Sequence, residues 1–153
     1  KKVVKILNNI DQKFNIFAPE NYKNLNISSN SNHRIIFYKD KEYYSYLKRS
    51  KLVITSGGIS LFDAIFNKRK IICIPQYEHQ KKNAIKILKR DAIRLLNLEN
   101  KRFNSKFKEF FYDMYDNNLY QKKINVIHNR IINSKMLNKT LNLISKTYAD
   151  SKN

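Results

Sequence analysis

The stretch from Lys51 to Ala84 constrains the fold more than any other part of the chain. It reads as an apolar strand, a glycine turn, an amphipathic helix, a second apolar strand that stops at Pro75, and a polar loop that opens another helix. This order is typical of a βαβ unit. The chain has two glycines, and both lie in the first strand-to-helix turn, at Gly57 and Gly58. Paired glycines in this turn predict a sharp bend or a backbone that lies against a ligand.

The same alternation of strands and helices extends to both sides of this stretch. Helices are predicted over residues 1–10, 39–49, 59–67 and 79–90, and strands over residues 14–18, 34–38, 52–55, 70–74 and 92–96. A weak strand is predicted near residues 25–27, and residues from 101 onward are predicted to be helical, with Ser134 as the N-cap of the last helix. Leu61, Phe62, Ile65 and Phe66 are predicted to face the sheet, and the helix over 79–90 has the apolar residues Ala84, Ile85, Ile87 and Leu88. We therefore predict one α/β domain, a Rossmann-like, doubly wound parallel sheet ending in several helices.

The net charge of the chain allows two interpretations. The 153 residues carry a formal charge of +19, and 42% of them are hydrophobic, as in a folded protein. An RNA or anionic-membrane partner would explain the charge, because anionic polymers and surfaces attract lysine-rich proteins. The basic residues are spread along the whole chain, however, so an ordinary solvated surface is the favoured interpretation. Peripheral contact with an anionic membrane is kept as an expectation, and nucleic acid is not an expected partner.

Cysteine and histidine are too sparse to predict a metal site. The one cysteine, Cys73, lies in an apolar run, so we expect a buried, inert thiol and a reducing, cytoplasmic setting. The three histidines lack the spacing of zinc ligands. No apolar run approaches the roughly 18 residues that would be needed to span a bilayer. We expect no metal and no cofactor.

The first candidate site is the turn that follows the strand over 52–55. In parallel α/β sheets, ligands bind beyond the carboxyl ends of the strands, where helix N-termini present unpaired N–H groups. The turn offers such groups together with the hydroxyls of Thr55, Ser56 and Ser60, a set that suits a phosphate or diphosphate. A tight turn with Ser60 near the helix start explains the same residues equally well. No Walker A lysine and no GxGxxG pattern is present.

The second candidate cluster follows the next strand and comprises Gln76, Glu78, His79, Gln80 and Asn83. Since neighbouring parallel strands end at the same sheet edge, we expect this cluster to lie beside the glycine turn. Asp63, one helical turn beyond Ile59, could accept from a sugar diol or could simply complement the helix dipole. His79 could act as a base or ligand contact, although a solvated loop histidine is the favoured interpretation. The catalytic residues are left unassigned.

The run SKLVITSGGISLFDAIFNKRKIICIPQYEHQKKNA resembles the C-terminal, nucleotide-sugar-binding domain of GT-B glycosyltransferases of the MurG-like family. It is also similar to the hydrolase of pseudaminic acid biosynthesis. The shared pattern is a glycine turn, a hydroxyl residue, an acid, a strand ending in proline, and Gln-x-x-Asn-Ala. The matched core covers roughly the middle third of the chain. The chain departs from the family where Asn67-Lys68-Arg69-Lys70 replaces the usual Leu-Gly-x-Pro, which implies a different connection.

The resemblance implies a role for each matching residue. Ser56, Gly57, Gly58 and Ser60 would hold the diphosphate of a UDP-sugar. Asp63 would take the place of the glutamate that holds the ribose diol. Gln80 and Asn83, with His79 beside them, would face the donor sugar, and Tyr38 and Lys39 would line the base.

The resemblance also implies that residues 1–153 are a single nucleotide-sugar-binding domain, the C-terminal half of a GT-B fold, without its first strand and N-terminal domain. An N-terminal domain or partner subunit would then supply the acceptor site and the catalytic base. We expect part of a hexosyl or N-acetylhexosaminyl transferase of cell-surface polysaccharide or glycoconjugate biosynthesis. It would be cytoplasmic, at most peripheral at the inner face of the membrane. The alternatives are a nucleotide-sugar hydrolase of the pseudaminic acid type and a basic RNA- or membrane-binding module without catalysis.

Overall fold

The computed structural model describes residues 2–18, 33–37 and 40–133. They form two compact units, the first ending at Ser50 and the second beginning at Lys51. The expectations for residues 25–27, Tyr38, Lys39 and Ser134 lie outside the described residues.

In its described residues, 2–18, 33–37 and 40–50, the first unit contains two helices and a two-stranded parallel sheet. Its elements are α1 (Lys2–Leu7), β1 (Asn15–Ala18), β2 (Arg34–Phe37) and α2 (Asp40–Arg49). The strands pair in register from Asn15 opposite Arg34 to Ala18 opposite Phe37. Of the apolar side chains that the helical patterns place inward, five are buried, namely Ile6, Leu7, Ile10, Tyr43 and Leu47, whereas Val3, Val4 and Tyr46 are half-buried. The helices and strands predicted within the described residues of this region are present, with α1 shorter than expected.

The second unit is built on a three-stranded parallel sheet with the order β3-β4-β5. Its first elements are β3 (Leu52–Thr55), α3 (Ile59–Phe66), β4 (Lys70–Cys73), α4 (Glu78–Leu88) and β5 (Arg94–Leu95). All four residues of the central strand β4 are buried, which explains its continuous apolar sequence. Parallel strands that alternate with helices confirm the predicted α/β, Rossmann-like class.

Two longer helices complete the second unit, α5 (Phe103–Tyr115) and α6 (Asn118–Ile132). The buried residues of α5 recur at intervals of three and four, at Phe103, Phe107, Phe111 and Met114. That stripe packs against β4, and α6 packs against α3. The helix α6 starts with a side-chain cap, because the Asn117 side chain accepts from the Tyr120 N–H over 2.8 Å.

The connection from α3 to β4 makes a left-handed turn without a glycine. Lys68 has φ of 55°, a conformation that glycine adopts most easily. The Lys68 N–H donates to Ile65 O and the Arg69 N–H to Ala64 O, both over 2.9 Å, which is the bonding pattern of a Schellman motif. Gln121 Nε2 on α6 donates to Lys68 O over 2.8 Å. Lysine therefore stands where a helix C-terminus usually has glycine.

One residue that was predicted to face the sheet is exposed instead. Phe66 is 43% exposed, and Ile85, one of the apolar residues of α4, is 38% exposed. The buried stripe of α3 consists of Leu61, Ala64 and Ile65, which lie within about 100° of one another around the helix. Phe66 lies about 100° around the helix from Ile65, which places it outside this stripe.

Candidate functional site

The glycine turn lies between β3 and α3 and is covered by the start of α4. Gly57 has φ of +92°, and a Cβ atom built on it would lie 3.0 Å from the backbone oxygen of Gln80 and 3.2 Å from Cys73 Sγ. Both the backbone conformation and the space exclude a side chain at this position. A Cβ atom on Gly58 would meet nothing closer than Gln80 Nε2 at 3.9 Å. Gly57 is therefore required by the fold, whereas Gly58 leaves an open backbone surface.

The hydroxyl groups beside the turn are fixed by a bond to each other. The side chains of Thr55 and Ser60 share a short hydrogen bond, which joins the end of β3 to the first turn of α3. Thr55 is buried and Ser60 is half-buried. Gly58, the N-cap of α3, has no side chain that could accept from the first-turn N–H groups. The start of α3 therefore presents backbone donors and the positive end of the helix dipole beside an oriented hydroxyl.

Gln80 links the second polar cluster to the glycine turn. Its Oε1 accepts from the N–H of Gln76 over 2.9 Å and from the N–H of Tyr77 over 3.3 Å, so the amide holds the loop that follows β4. Its Nε2 is oriented toward Gly58. The expectation that the two clusters meet at one sheet edge is therefore confirmed. Only the NH₂ group of Gln80 is left to donate to a ligand.

Tyr77 also lies at this edge, although it was not among the predicted site residues. Its ring stacks on that of His79, with an interplanar angle of 6° and centroids 5.8 Å apart, and 63% of Tyr77 is exposed. The only signal in the sequence was an aromatic residue inside a polar loop. His79 is exposed, as the favoured interpretation expected, and it forms half of an aromatic pair with Tyr77.

The remaining predicted residues lie on the two helices that flank the turn. Asp63 is the fifth residue of α3 and is half-buried, and Asn83 is the sixth residue of α4 and is also half-buried. The structure thus brings Ser56, Gly57, Gly58, Ser60 and Gln80 together and sets Asp63, His79 and Asn83 on the adjoining helices. The binding roles of all these residues remain predictions.

Cys73 lies directly behind the glycine turn and is fully buried. Burial raises the pKa of its thiol to about 12, so the thiolate is scarcely populated at neutral pH. The expected inert thiol is confirmed in this respect. Within residues 2–18, 33–37 and 40–133, no three histidine, cysteine or acidic side chains converge on a point that could hold a metal ion.

Comparison with known proteins identifies the family. The family model described as the glycosyltransferase family 28 C-terminal domain matches residues 1–137. The chain belongs to that family. The crystal structure of the glycotransferase of kitacinnamycin shares the fold, with a TM-score of 0.70 at 11% sequence identity. The match covers 94% of this chain and 37% of that protein, so the family 28 domain spans well under half the length of this structural relative. None of the curated proteins that were compared matches the chain.

The family model describes a C-terminal domain of glycosyltransferases, and the structural relative contains much more chain than the part that aligns with this domain. None of the helices within residues 2–18, 33–37 and 40–133 combines the length and the hydrophobicity that a bilayer-spanning segment needs.

Proposed function

We propose that this chain binds the UDP-linked sugar donor of a glycosyltransferase, with the diphosphate against the Gly57–Gly58 turn. The observation that carries the proposal is the pairing of a backbone surface left open at Gly58 with the uncapped start of α3. Phosphate oxygens suit such a place because several N–H groups and the helix dipole act on the same charge. The Ser60 hydroxyl would add a further donor with Thr55 as the donor of the bond that the two side chains share.

The same donors would assist the reaction as well as binding. Cleavage of the sugar–phosphate bond places negative charge on the departing diphosphate, and preorganised donors stabilise that charge as it develops. A base outside these residues would take the proton from the acceptor hydroxyl. The chain would therefore hold and activate the donor, while an N-terminal domain or a partner subunit completes the site in a pathway of cell-surface polysaccharide or glycoconjugate synthesis.

The remaining candidate residues take positions around the diphosphate in this proposal. Asp63 would accept from the ribose diol, and Gln80 would donate through its NH₂ group, because its Oε1 is occupied by the loop. Asn83 would contact the donor sugar. Tyr38 and Lys39 are proposed base contacts on the strength of the family resemblance alone.

Calorimetric titration with UDP and with a short RNA at moderate salt tests the proposal. UDP binding should be lost or strongly weakened in Asp63→Ala. The matched control is Glu109→Ala, which removes the same charge from an exposed position on α5. RNA binding that weakens with salt, without any response to UDP, would overturn the proposal, because nonspecific charge attraction would then explain the binding.

A further inference from the structure

A shallow, open groove of about 540 Å³ lies at the end of α4, between that helix and α6. Four of its seven lining residues are cationic, and Asp91 is the one acid among them. The lining residues are Lys89, Arg90, Asp91, Lys123, Val126, Ile127 and Arg130. The groove belongs entirely to the second compact unit. None of its lining residues belongs to the glycine turn, so the groove is separate from the proposed donor site.

The cations of the groove are largely uncompensated. Lys123 Nζ lies 3.4 Å from Asp91 Oδ2, in an exposed ion pair. Lys89, Arg90 and Arg130 form no ion pair with any residue that the structure describes. The groove therefore keeps a net positive charge of about three, and an anionic partner would be attracted to it.

Apolar and basic side chains alternate along the exposed face of α6 that borders the groove. Leu119, Lys123, Val126 and Arg130 follow one another at intervals of four, three and four residues, which places them on one helical stripe. Leu119 is 78% exposed and Val126 is 51% exposed. An exposed helix face that carries both aliphatic and basic side chains offers apolar contact and charge attraction together, and these two contributions set how strongly a helix binds an anionic membrane surface.

The exposed face of α4 adds more cations on the other side of the groove. Lys82, Lys86 and Lys89 are exposed at intervals of four and three residues, and the partly exposed Ile85 lies among them. Clusters of four to eight lysine and arginine residues on one surface are typical of binding to anionic lipid headgroups. The two helices together supply such a cluster.

The residues in the groove distinguish a lipid surface from other occupants. Single-stranded nucleic acid is usually bound by aromatic rings on which bases stack, and none of the seven lining residues is aromatic. The chain's own residues 134–153 contain four lysines and one aspartate, so their charge repels the groove. Valine and isoleucine between cations instead fit a surface of anionic headgroups above acyl chains.

We propose that the α4–α6 groove docks this protein on an anionic phospholipid surface. Headgroup phosphates would lie among Lys89, Arg90 and Arg130, and the Val126 side chain would enter the boundary between headgroups and acyl chains. The candidate donor site adjoins the first residue of α4, and the groove adjoins the last, about 16 Å further along the helix. Docking would therefore leave the glycine turn accessible.

Sedimentation with vesicles tests the proposal. Phosphatidylcholine vesicles containing phosphatidylglycerol should bind the protein, and vesicles of phosphatidylcholine alone should not. The triple variant Lys89→Gln, Arg90→Gln, Arg130→Gln should bind roughly a hundredfold more weakly at low salt, since each cation near the surface contributes about 1 kcal/mol. Asp91→Asn should bind more tightly, because it removes the groove's acid while asparagine tolerates the φ of 58° at this position.

A second triple variant provides the matched control. Lys101→Gln, Lys106→Gln, Lys108→Gln removes the same charge from exposed positions at and near the start of α5. It should lose far less vesicle affinity than the groove variant. Equal losses in the two variants would overturn the proposal, since net charge alone would then explain binding. Absence of binding to the anionic vesicles, or a preference for a short RNA over them, would also overturn it.

A fluorescent label at Val126→Cys tests whether the groove itself meets the lipid. Because Cys73 is buried and its pKa is about 12, the new thiol should be the one that reacts. An environment-sensitive dye at this position should shift to shorter wavelength when anionic vesicles are added. A short-wavelength signal before vesicles are added would show that residues 134–153 or a second copy already cover the groove, and it would overturn the proposal. A signal that grows with protein concentration would indicate a second copy, whereas a signal independent of concentration would indicate residues 134–153.

Discussion

Individual residues decide which of the two adjacent glycines serves the fold and which leaves room for a ligand. Gly57 has a positive φ and is closed in by Gln80 and Cys73, whereas Gly58 has neither restriction. Sequence position alone cannot separate them, because they are neighbours in one turn. A pair of alanine substitutions can separate the two roles experimentally.

We expect Gly57→Ala and Gly58→Ala to affect different properties. Gly57→Ala should lower the free energy of unfolding by about 1–3 kcal/mol, because alanine is strained at φ of +92° and its methyl group collides with neighbouring atoms. Gly58→Ala should change it by less than about 0.5 kcal/mol, yet weaken UDP binding by covering the backbone surface. Urea denaturation and calorimetric titration measure the two effects. Unchanged UDP affinity in a folded Gly58→Ala variant would contradict the proposed position of the diphosphate.

The left-handed residue after α3 offers a stabilising substitution. Lys68→Gly should raise the free energy of unfolding by about 1 kcal/mol, since a residue with a Cβ atom is disfavoured at φ of 55° and glycine is not. Lys122→Gly, at an exposed position inside α6, is the comparison and should destabilise the protein by a similar amount. Thermal and urea denaturation are the measurements. A loss of stability in Lys68→Gly would show that the lysine side chain contributes more to the free energy of unfolding than its left-handed backbone conformation takes away.

At the scale of elements, α6 is joined to the segment before β5 through a buried histidine. His128 is fully buried, and its Nε2 lies 3.0 Å from Ala92 O, to which the neutral ring donates. Its Nδ1 has no hydrogen-bond partner among the described residues. Burial lowers the pKa of His128 below its ordinary value of 6.5, and the bond to Ala92 offsets this only in part. The ring is therefore a neutral packing group.

This arrangement gives stability a defined dependence on pH. Between the lowered pKa of the folded state and the ordinary value of 6.5, the unfolded chain binds more protons, so the free energy of unfolding falls as pH decreases through this interval. The slope from this one group is at most about 1.4 kcal/mol per pH unit. His128→Gln keeps a donor for Ala92 O and removes the titration. Urea denaturation between pH 8 and 5 should show a steeper decline in the wild type, and identical slopes would contradict the assignment.

Across the whole molecule, the parts that follow from local periodicity were predictable. The strands β1 to β4 and the helices α2 to α6 all lie close to the predicted ranges. Their apolar residues form the short runs of buried strands or recur at the intervals typical of amphipathic helices. The meeting of the two polar clusters also followed, since parallel strands with consecutive order end at one edge. The strand β5 is shorter than predicted, at two residues, although Ala92, Ile93 and Leu96 around it are buried as an apolar run suggests.

The details that tertiary contacts decide were not predictable. Phe66 is exposed because it lies outside the stripe formed by Leu61, Ala64 and Ile65, and hydrophobicity alone does not report which face of α3 its neighbours cover. The Gln80 side chain accepts from the loop after β4 through Oε1 and lies near Gly58 through Nε2. These two contacts depend on where the chain folds back, which the sequence does not report. The stacking of Tyr77 on His79 has no periodic signature in sequence.

The contrast between Lys68 and Gly57 has a consequence for how such a chain could change over time. At Lys68 the left-handed backbone is compatible with a long side chain, so this position does not require glycine and accepts an unbranched residue at a modest conformational cost. At Gly57 a fixed backbone oxygen occupies the space of any β-carbon. A protein whose sequence evolves toward lysine and asparagine could therefore lose most of its glycines. Position 57, behind the candidate donor site, would still require glycine.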